Sequence, residues 1–307
     1  MFKNLIPYKF SPDDNDFSVI SKALKTEKKL LFNKIEDSQS YACGFSHIVK
    51  DNYIIETDNR ILLKVIFSHK SIKKSTIDSK LEERLDKIKE ENKTNEISKH
   101  VADIYKYQVE AECLRFAPIT SKEIYILIDN YTNYIYVSAA TTNVAEEALN
   151  LLRKLIGKLV CHKIGSNLIG DKIINHLCFN GKDLPAELFI DDYPLISAND
   201  KNSVKVKIDG MHKNDPHFLN ILMGLSVRSI DMSLVNIQDK NDCQKLASFA
   251  FCPSNNGIFI FKNFNYDLID GQEEYTDYDD SYFYTSKMIL IGKYMNNILL
   301  NLNLFCN

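Results

Sequence analysis

The sequence contains no tryptophan, only ten glycines and seven prolines, and no excess of positive charge. Few glycines and prolines, with none clustered, argue against a collagen-like or low-complexity chain. No run of 18 or more apolar residues occurs, so no membrane-spanning helix is expected. The start, MFKNLIPYKF, has no long apolar segment followed by a small-residue cleavage site, so it does not read as a secretion signal. Seven scattered cysteines, an odd number, are then expected as reduced thiols in a cytoplasmic protein. The Gly-rich phosphate-binding patterns, HExxH, GxSxG and CxxC are also missing, which removes the commonest signatures of nucleotide, zinc-protease, hydrolase and redox chemistry.

What is present suffices for a core. The chain has 307 residues, 45% hydrophobic and 26% charged, enough for one large or two to three small domains. Residues 265–280 carry seven carboxylates and no basic residue, so the net −3 leaves +4 on the remainder. An acidic segment and a basic surface can coexist, because screening separates charges more than about 8–10 Å apart.

Periodicity organises the chain. Tyr53–Thr57 and Arg60–Ser68 read as a β-hairpin, as does Glu123–Ser138 with its turn at Asn130–Asn133. Between them, Ile77, Leu81, Leu85 and Ile88 share one helical face. Ile97, Val101, Ile104 and Gln108 or Val109 continue a second stripe after a polar turn at 92–95. Two narrow stripes on charged helices predict a projecting helical hairpin that buries its seam against its mate or another subunit. Asn143 and Glu146 have the spacing of a capping box, followed by an apolar face of Val144, Ala148, Leu151, Leu152 and Leu155 and a stop at Gly157. Further on, Ile169–Phe179 and Pro216–Met223 read as helices, and Ser203–Ile208 and Ser226–Val235 as strands. Ala247–Cys252 and Ile258–Asn263 read as a strand pair, and 282–304 as a last helix. Hairpins with segregated helices predict an α+β fold of sheets and packed helices rather than a doubly wound sheet.

No catalytic constellation emerges, and the chain reads as a non-enzyme without cofactor. Cys161, His162, His176 and Cys178 are the best metal set, but adjacent ligands point in different directions and the spacing does not suit zinc. The acidic 265–280 segment lacks the alternating ligands of a calcium loop. It reads as a solvated loop. Basic residues are more informative. Lys73, Lys74, Lys80 and Arg84 lie on or beside the first hairpin helix, where they serve either a phosphate backbone or local helix pairs such as Glu83–Lys87. Lys201, Lys205, Lys207 and Lys213 share a stretch whose only acid is Asp209. Lys205 and Lys207 stand on one face of a strand, which suits a row of phosphates and equally a plain exposed sheet face. Arg228, on the strand 226–235, completes the candidate DNA-binding set.

Several segments in order resemble the RdgC family of recombination-associated proteins. FKNLIPYKFS is similar to the family's FKNL-x-x-Y-R/K start. LLKVIF, KSTIDSKLEERLDKIKEE and ILIDNYTNYIYVSAAT follow in the family's order. AEEALNLLRKLIGKL matches an A-E-x-x-L-x-x-L-R-K-x-x-G run, and SVKVKIDGM and DDSYFYTSKMILIGKYMNNIL close the series. The resemblance implies a ring-shaped homodimer meeting at a base and at a helical tip. Its division would be a body of 1–69 and 115–165, a tip of 70–114 and a base of 166–307. It further implies sequence-independent binding of double-stranded DNA, opposition to RecA by competition for DNA, and a nucleoid location in the cytoplasm. Phe116, in LRFAPI, is the counterpart of the family's tip aromatic, with Leu85 and Ile88 beside it. Ile208, Asp209 and Gly210 stand where the family carries further basic or amide residues. The alternative reading keeps the fold but exchanges DNA for a protein partner, with the acidic 265–280 segment as the contact.

Overall fold

A computed structural model describes residues 1–57, 59–92, 96–179, 183–200, 204–239, 242–254, 256–265 and 280–306. The fold is α+β, with two antiparallel sheets and, among the described residues, seven α-helices. One sheet has the order β2 (Tyr41–Ser46), β4 (Arg60–Lys70), β5 (Ile119–Asp129), β6 (Tyr134–Val137), β1 (Ile6–Phe10), β7 (Cys161–Lys163), with β3 (Ile54–Thr57) also paired to β4. The other runs β10 (Lys205–Ile208), β9 (Ile196–Asn199), β11 (Ser226–Asp239), β12 (Asp242–Phe251), β13 (Phe261–Asn265), with β8 (Leu188–Ile190) paired to β11. The helices are α1 (Ile20–Thr26), α2 (Lys74–Asn92), α3 (Lys99–Arg115), α4 (Thr142–Ile156), α5 (Ile169–Phe179), α6 (Pro216–Leu222) and α7 (Asp280–Cys306). None of the described helices is long and apolar enough to cross a membrane.

The chain forms two compact units, 1–26 with 47–64 and 125–307, and 27–46 with 65–124. In the first unit, the six-stranded sheet turns Ile196, Ala198, Ile208, Val227, Ile230, Phe249 and Phe251 into a core closed by Ile173 and Ile174 of α5, Phe218 and Leu222 of α6, and Met288, Ile291, Met295 and Ile298 of α7. Each of the Val, Leu, Ile, Phe and Met side chains here contributes about 1.5–3 kcal/mol on burial, so the cluster is a large source of the unit's stability. In the second unit, α2 and α3 lie side by side and are tied by an Arg84–Glu112 ion pair of 2.7 Å.

Both predicted hairpins are present, as β3–β4 with Thr57 opposite Arg60 and β5–β6 with Asp129 opposite Tyr134. The α4 face is buried as the pattern requires at Ala148, Leu151, Leu152 and Leu155, and Gly157 ends the helix at φ +82°. The capping box is not formed. The helix starts at Thr142, so Asn143 is already inside it and the Thr141 cap makes no side-chain bond. Glu146 instead pairs with Lys163 at 2.9 Å and accepts from the Tyr8 hydroxyl at 3.3 Å. The second hairpin stripe is also displaced. Val101 and Ile104 are 37% and 44% exposed, and Val109 and Cys113 are the buried residues of α3. The helix begins only at Lys99, after the Ser98 cap, so Ile97 lies outside it. The Arg84 guanidinium then draws Glu112 and the Tyr105 ring to the seam. The polar turn expected at 92–95 lies largely outside the described residues.

β13 starts three residues later than predicted. Ile258 and Phe259 are drawn elsewhere: Ile258 bridges Gly165, and the Phe259 N–H donates to the Ile164 carbonyl at 2.9 Å. Gly257, at φ +71°, makes the turn, its N–H donating to Ser254 O at 2.8 Å. A side chain at Gly165 would collide with the Gly257 backbone, which fixes glycine there.

Candidate nucleic-acid interface

β10 is an edge strand of four residues, and its alternation decides what it can do. Val206 and Ile208 turn to the core, while Lys205 and Lys207 are exposed on the opposite face. Successive side chains of a strand alternate, so the two ammonium groups stand on one side roughly two residues apart. Among the described residues neither makes an ion pair. Lys205 lies opposite Asn199 and Lys207 opposite Ser197 on β9, and Ser197 in turn lies opposite Ser229 on β11. The lysines therefore border a strip of short hydroxyl and amide side chains that phosphate oxygens can approach. Arg228 sits where the β9–β11 register shifts between Val227 and Ser229. Such a bulge re-aims a side chain, and the Arg228 Nε is buried without a hydrogen-bond partner among the described residues. Ser197 and Asn199 were not singled out in the sequence, because short uncharged side chains carry no charge pattern of their own.

The same sheet also carries acid. Asp231 on β11 has its carboxyl pushed up, by burial first and then by the neighbouring Asp191 and Asp209 charges. Asp191 accepts from the Ser233 hydroxyl at 2.7 Å and lies 3.8 Å from Lys245. Lys213 belongs to this acidic end. Its ammonium donates to the Ile190 carbonyl at 2.8 Å, pairs with Asp192 at 3.0 Å and lies 3.8 Å from the centre of the Phe189 ring. That geometry makes it a strut between 189–192 and 213, with its charge answered locally. Lys201 lies outside the described residues.

The other candidates are on unit two. Lys73, Lys74 and Lys80 are exposed on or beside α2. Arg84 is spent on Glu112, whose carboxyl that hydrogen bond holds below its ordinary range. Lys70, just before this helix, buries its ammonium and donates to the Glu36 and Asp37 carbonyls at 3.0 and 3.2 Å. Leu85 and Ile88 on α2 are half-buried. Phe116 caps the end of α3 and is 87% exposed.

The cysteines and histidines that the sequence spacing set aside as zinc ligands have separate occupations. Cys161 is on β7 opposite Phe10, and burial pushes its thiol up to about 11. His176 lies edge-on to Phe305, and Cys178 donates to the Leu219 carbonyl at 3.6 Å. Among the described residues no group of three or more His, Cys, Asp or Glu side chains is arranged to hold a metal ion.

A family model described as "Putative exonuclease, RdgC" matches residues 1–232, which include both lysines of β10 and Arg228. The chain belongs to the RdgC family. The recombination-associated protein RdgC of Psychromonas ingrahamii is 24% identical over 202 residues, 62% of this chain and 63% of the relative. The match thus spans less than two thirds of that RdgC protein. The resemblance drawn from FKNLIPYKFS onward is therefore borne out at the level of the family.

Proposed function

We propose that the chain is a sequence-nonspecific double-stranded DNA-binding protein, not an enzyme, which acts in the cytoplasm on the nucleoid and limits RecA by competing for DNA. The observation that carries this reading is the pair of exposed lysines on β10, which make no ion pair among the described residues and are bordered by Ser197, Asn199 and Ser229. Ammonium, hydroxyl and amide groups meet phosphate oxygens without reading base edges, so affinity follows charge and not sequence. Arg228 and the exposed Lys73, Lys74 and Lys80 extend the set. Lys213 and Arg84, with their charges satisfied in place, act as supports.

A gel shift with random AT-rich and GC-rich duplexes tests this. The expected result is similar retardation of both, with a log K against log salt slope of roughly −4 to −5 for about 4–6 phosphate contacts. Retardation of one short sequence alone, or binding indifferent to salt, would turn the reading toward a specific regulator or a protein partner. The word exonuclease in the family description names a second reading. Incubating the complex with magnesium decides it: intact DNA supports the binding protein, and shortening that stops with a chelator supports the nuclease.

The proposal includes a ring-shaped homodimer with a body of 1–69 and 115–165, a tip of 70–114 and a base of 166–307. An aromatic ring as exposed as Phe116, with Ile119 three residues on at 53% exposure, gains by burial against a second copy. Light scattering at tens of micromolar is expected to give twice the chain mass of 35.3 kDa. A strict monomer there would remove the ring, and with it the encircling mode of binding.

A further inference from the structure

A run of positive charge stands outside the residues named so far for phosphate. Residues 22–34 hold Lys22, Lys25, Lys28, Lys29 and Lys34 against one acid, Glu27, a local charge of +4 in a chain whose net charge is −3. All five lysines are exposed, and among the described residues none makes a hydrogen bond or ion pair. α2 provides the contrast. There Lys87 pairs with Glu83, Lys89 with Asp86 and Arg84 with Glu112. Of the acids that flank the run in sequence, Asp16 accepts from the Ser18 N–H and hydroxyl at 3.0 and 2.6 Å, and Glu36 and Asp37 come only after Lys34.

The backbone under these lysines is held in place. α1 buries Ile20 and Leu24. After Glu27, residues Lys28–Leu30 form a single 3₁₀ turn, with the Leu30 N–H donating to the Glu27 carbonyl at 2.9 Å. The next two residues join β2: Leu31 bridges Phe45, and the Phe32 N–H donates to the Phe45 carbonyl at 2.8 Å. Gly44 permits that approach, since a Cβ there would lie 2.5 Å from the Phe32 nitrogen. Lys22 and Lys25 share a helical face, their Cβ atoms about 5–6 Å apart. Lys25 and Lys28 are three residues apart, so the chain keeps their Cα atoms within about 11 Å whatever the angle of the turn. These spacings are of the order of the screening length, about 8–10 Å, so the four potentials reinforce one another.

A group of ammonium ions so placed suits a polyanion. A lipid surface fits less well, because Ile20 and Leu24 point inward and leave α1 no apolar face to lay into it. A duplex fits better. The salt dependence expected of the DNA complex calls for about 4–6 phosphate contacts, and β10 offers two lysines.

We propose that Lys22, Lys25, Lys28 and Lys29 form a second contact surface for the phosphate backbone of duplex DNA. The inference rests on the DNA-binding reading and adds a surface that shares no residue with β10.

The test is a full-length variant carrying Lys22→Gln, Lys25→Gln, Lys28→Gln and Lys29→Gln, measured by anisotropy on a random duplex across a salt series. With two or three of the four lysines meeting phosphates, the log–log slope is expected to become shallower by about 2–3, and affinity at 0.1 M salt to fall roughly 50- to 500-fold. All four side chains are exposed, so the urea midpoint is expected to match the parent's. The two halves, Lys22→Gln with Lys25→Gln and Lys28→Gln with Lys29→Gln, are each expected to give about half of the slope change, a graded response that loss of folding would not produce. Lys87→Gln with Lys89→Gln removes two lysines already answered by carboxylates and is expected to keep the parent's slope. A quadruple variant with the parent's slope, or a paired-lysine control that loses as much, would overturn the proposal and leave the β10 reading standing. A parent that retards no duplex at low salt yet binds phosphatidylserine vesicles would overturn both.

Discussion

Replacing Asp129 with alanine is expected to destabilise the first unit by about 3–5 kcal/mol, the usual cost of breaking a buried ion pair from one side. Asp129 is fully buried at the end of β5. One carboxylate oxygen accepts from the Arg60 Nε at 2.8 Å. The other accepts from the Tyr131 and Thr132 N–H groups at 3.0 and 3.3 Å, closing the β5–β6 turn. Removal therefore strands a largely buried guanidinium and two turn donors together. Since domains are stable by only about 5–15 kcal/mol, this loss is a large part of the whole. Asp129→Asn keeps an acceptor for the turn but loses the charge, so it belongs between alanine and the parent. Gly292 gives a second measurement at the same place. A Cβ there would lie 2.7 Å from both the Arg60 Nε and an Asp129 carboxylate oxygen. A helical Gly→Ala change ordinarily stabilises by roughly 0.5–1 kcal/mol. Here it is expected to destabilise, because α7 reaches the pair only through the bare glycine. Urea unfolding followed by circular dichroism reads all three variants. An Asp129→Ala midpoint within error of the parent would show that the pair contributes nothing net.

That ion pair was not legible in the sequence, although the hairpins that carry it were. Arg60 and Asp129 are 69 positions apart, and neither has a local pattern that names the other. The elements read correctly were those whose periodicity is long enough to override local noise: β3–β4, β5–β6, α4, α5, α6 and α7. The short strands β1, β2, β7, β8 and β9 and the N-terminal α1 went unread, since three to seven residues hold few repeats of either period. The error in α3 was of another kind. Val101 and Ile104 match a helical stripe as well as Ala102, Tyr105 and Val109 do, and tertiary pairing through Arg84 chose between them. The candidate site divides the same way. Alternation alone placed Lys205 and Lys207 on one exposed face. Whether a lysine's charge is free depends on partners distant in sequence, so Lys213 looked like its neighbours until Ile190 and Asp192 were seen beside it.

Reversing both β10 charges, Lys205→Glu with Lys207→Glu, is expected to weaken binding of every duplex alike and to flatten the salt dependence. Each lysine that meets a phosphate releases about one counterion, so losing two reduces the log–log slope by roughly 2. Out of a starting slope of about −4 to −5 that is near half, well outside the error of a filter-binding or anisotropy series. The fold should tolerate the change. Both side chains are exposed, and the strand is held by Val206 and Ile208 on its other face and by its pairing with β9. The nearby carboxylates sharpen the result. Asp209 follows β10 directly, and with Asp191 it already raises the proton affinity of Asp231, so two added glutamates turn a mixed surface into an acidic one and oppose phosphate at longer range as well. Lys213→Gln provides the contrast. That ammonium is held by Ile190 and Asp192, so its loss is expected to lower stability and leave the salt slope nearly unchanged. If the double reversal retains the parent's slope while Lys213→Gln lowers it, the DNA lies against the 189–213 end of the sheet rather than along β10.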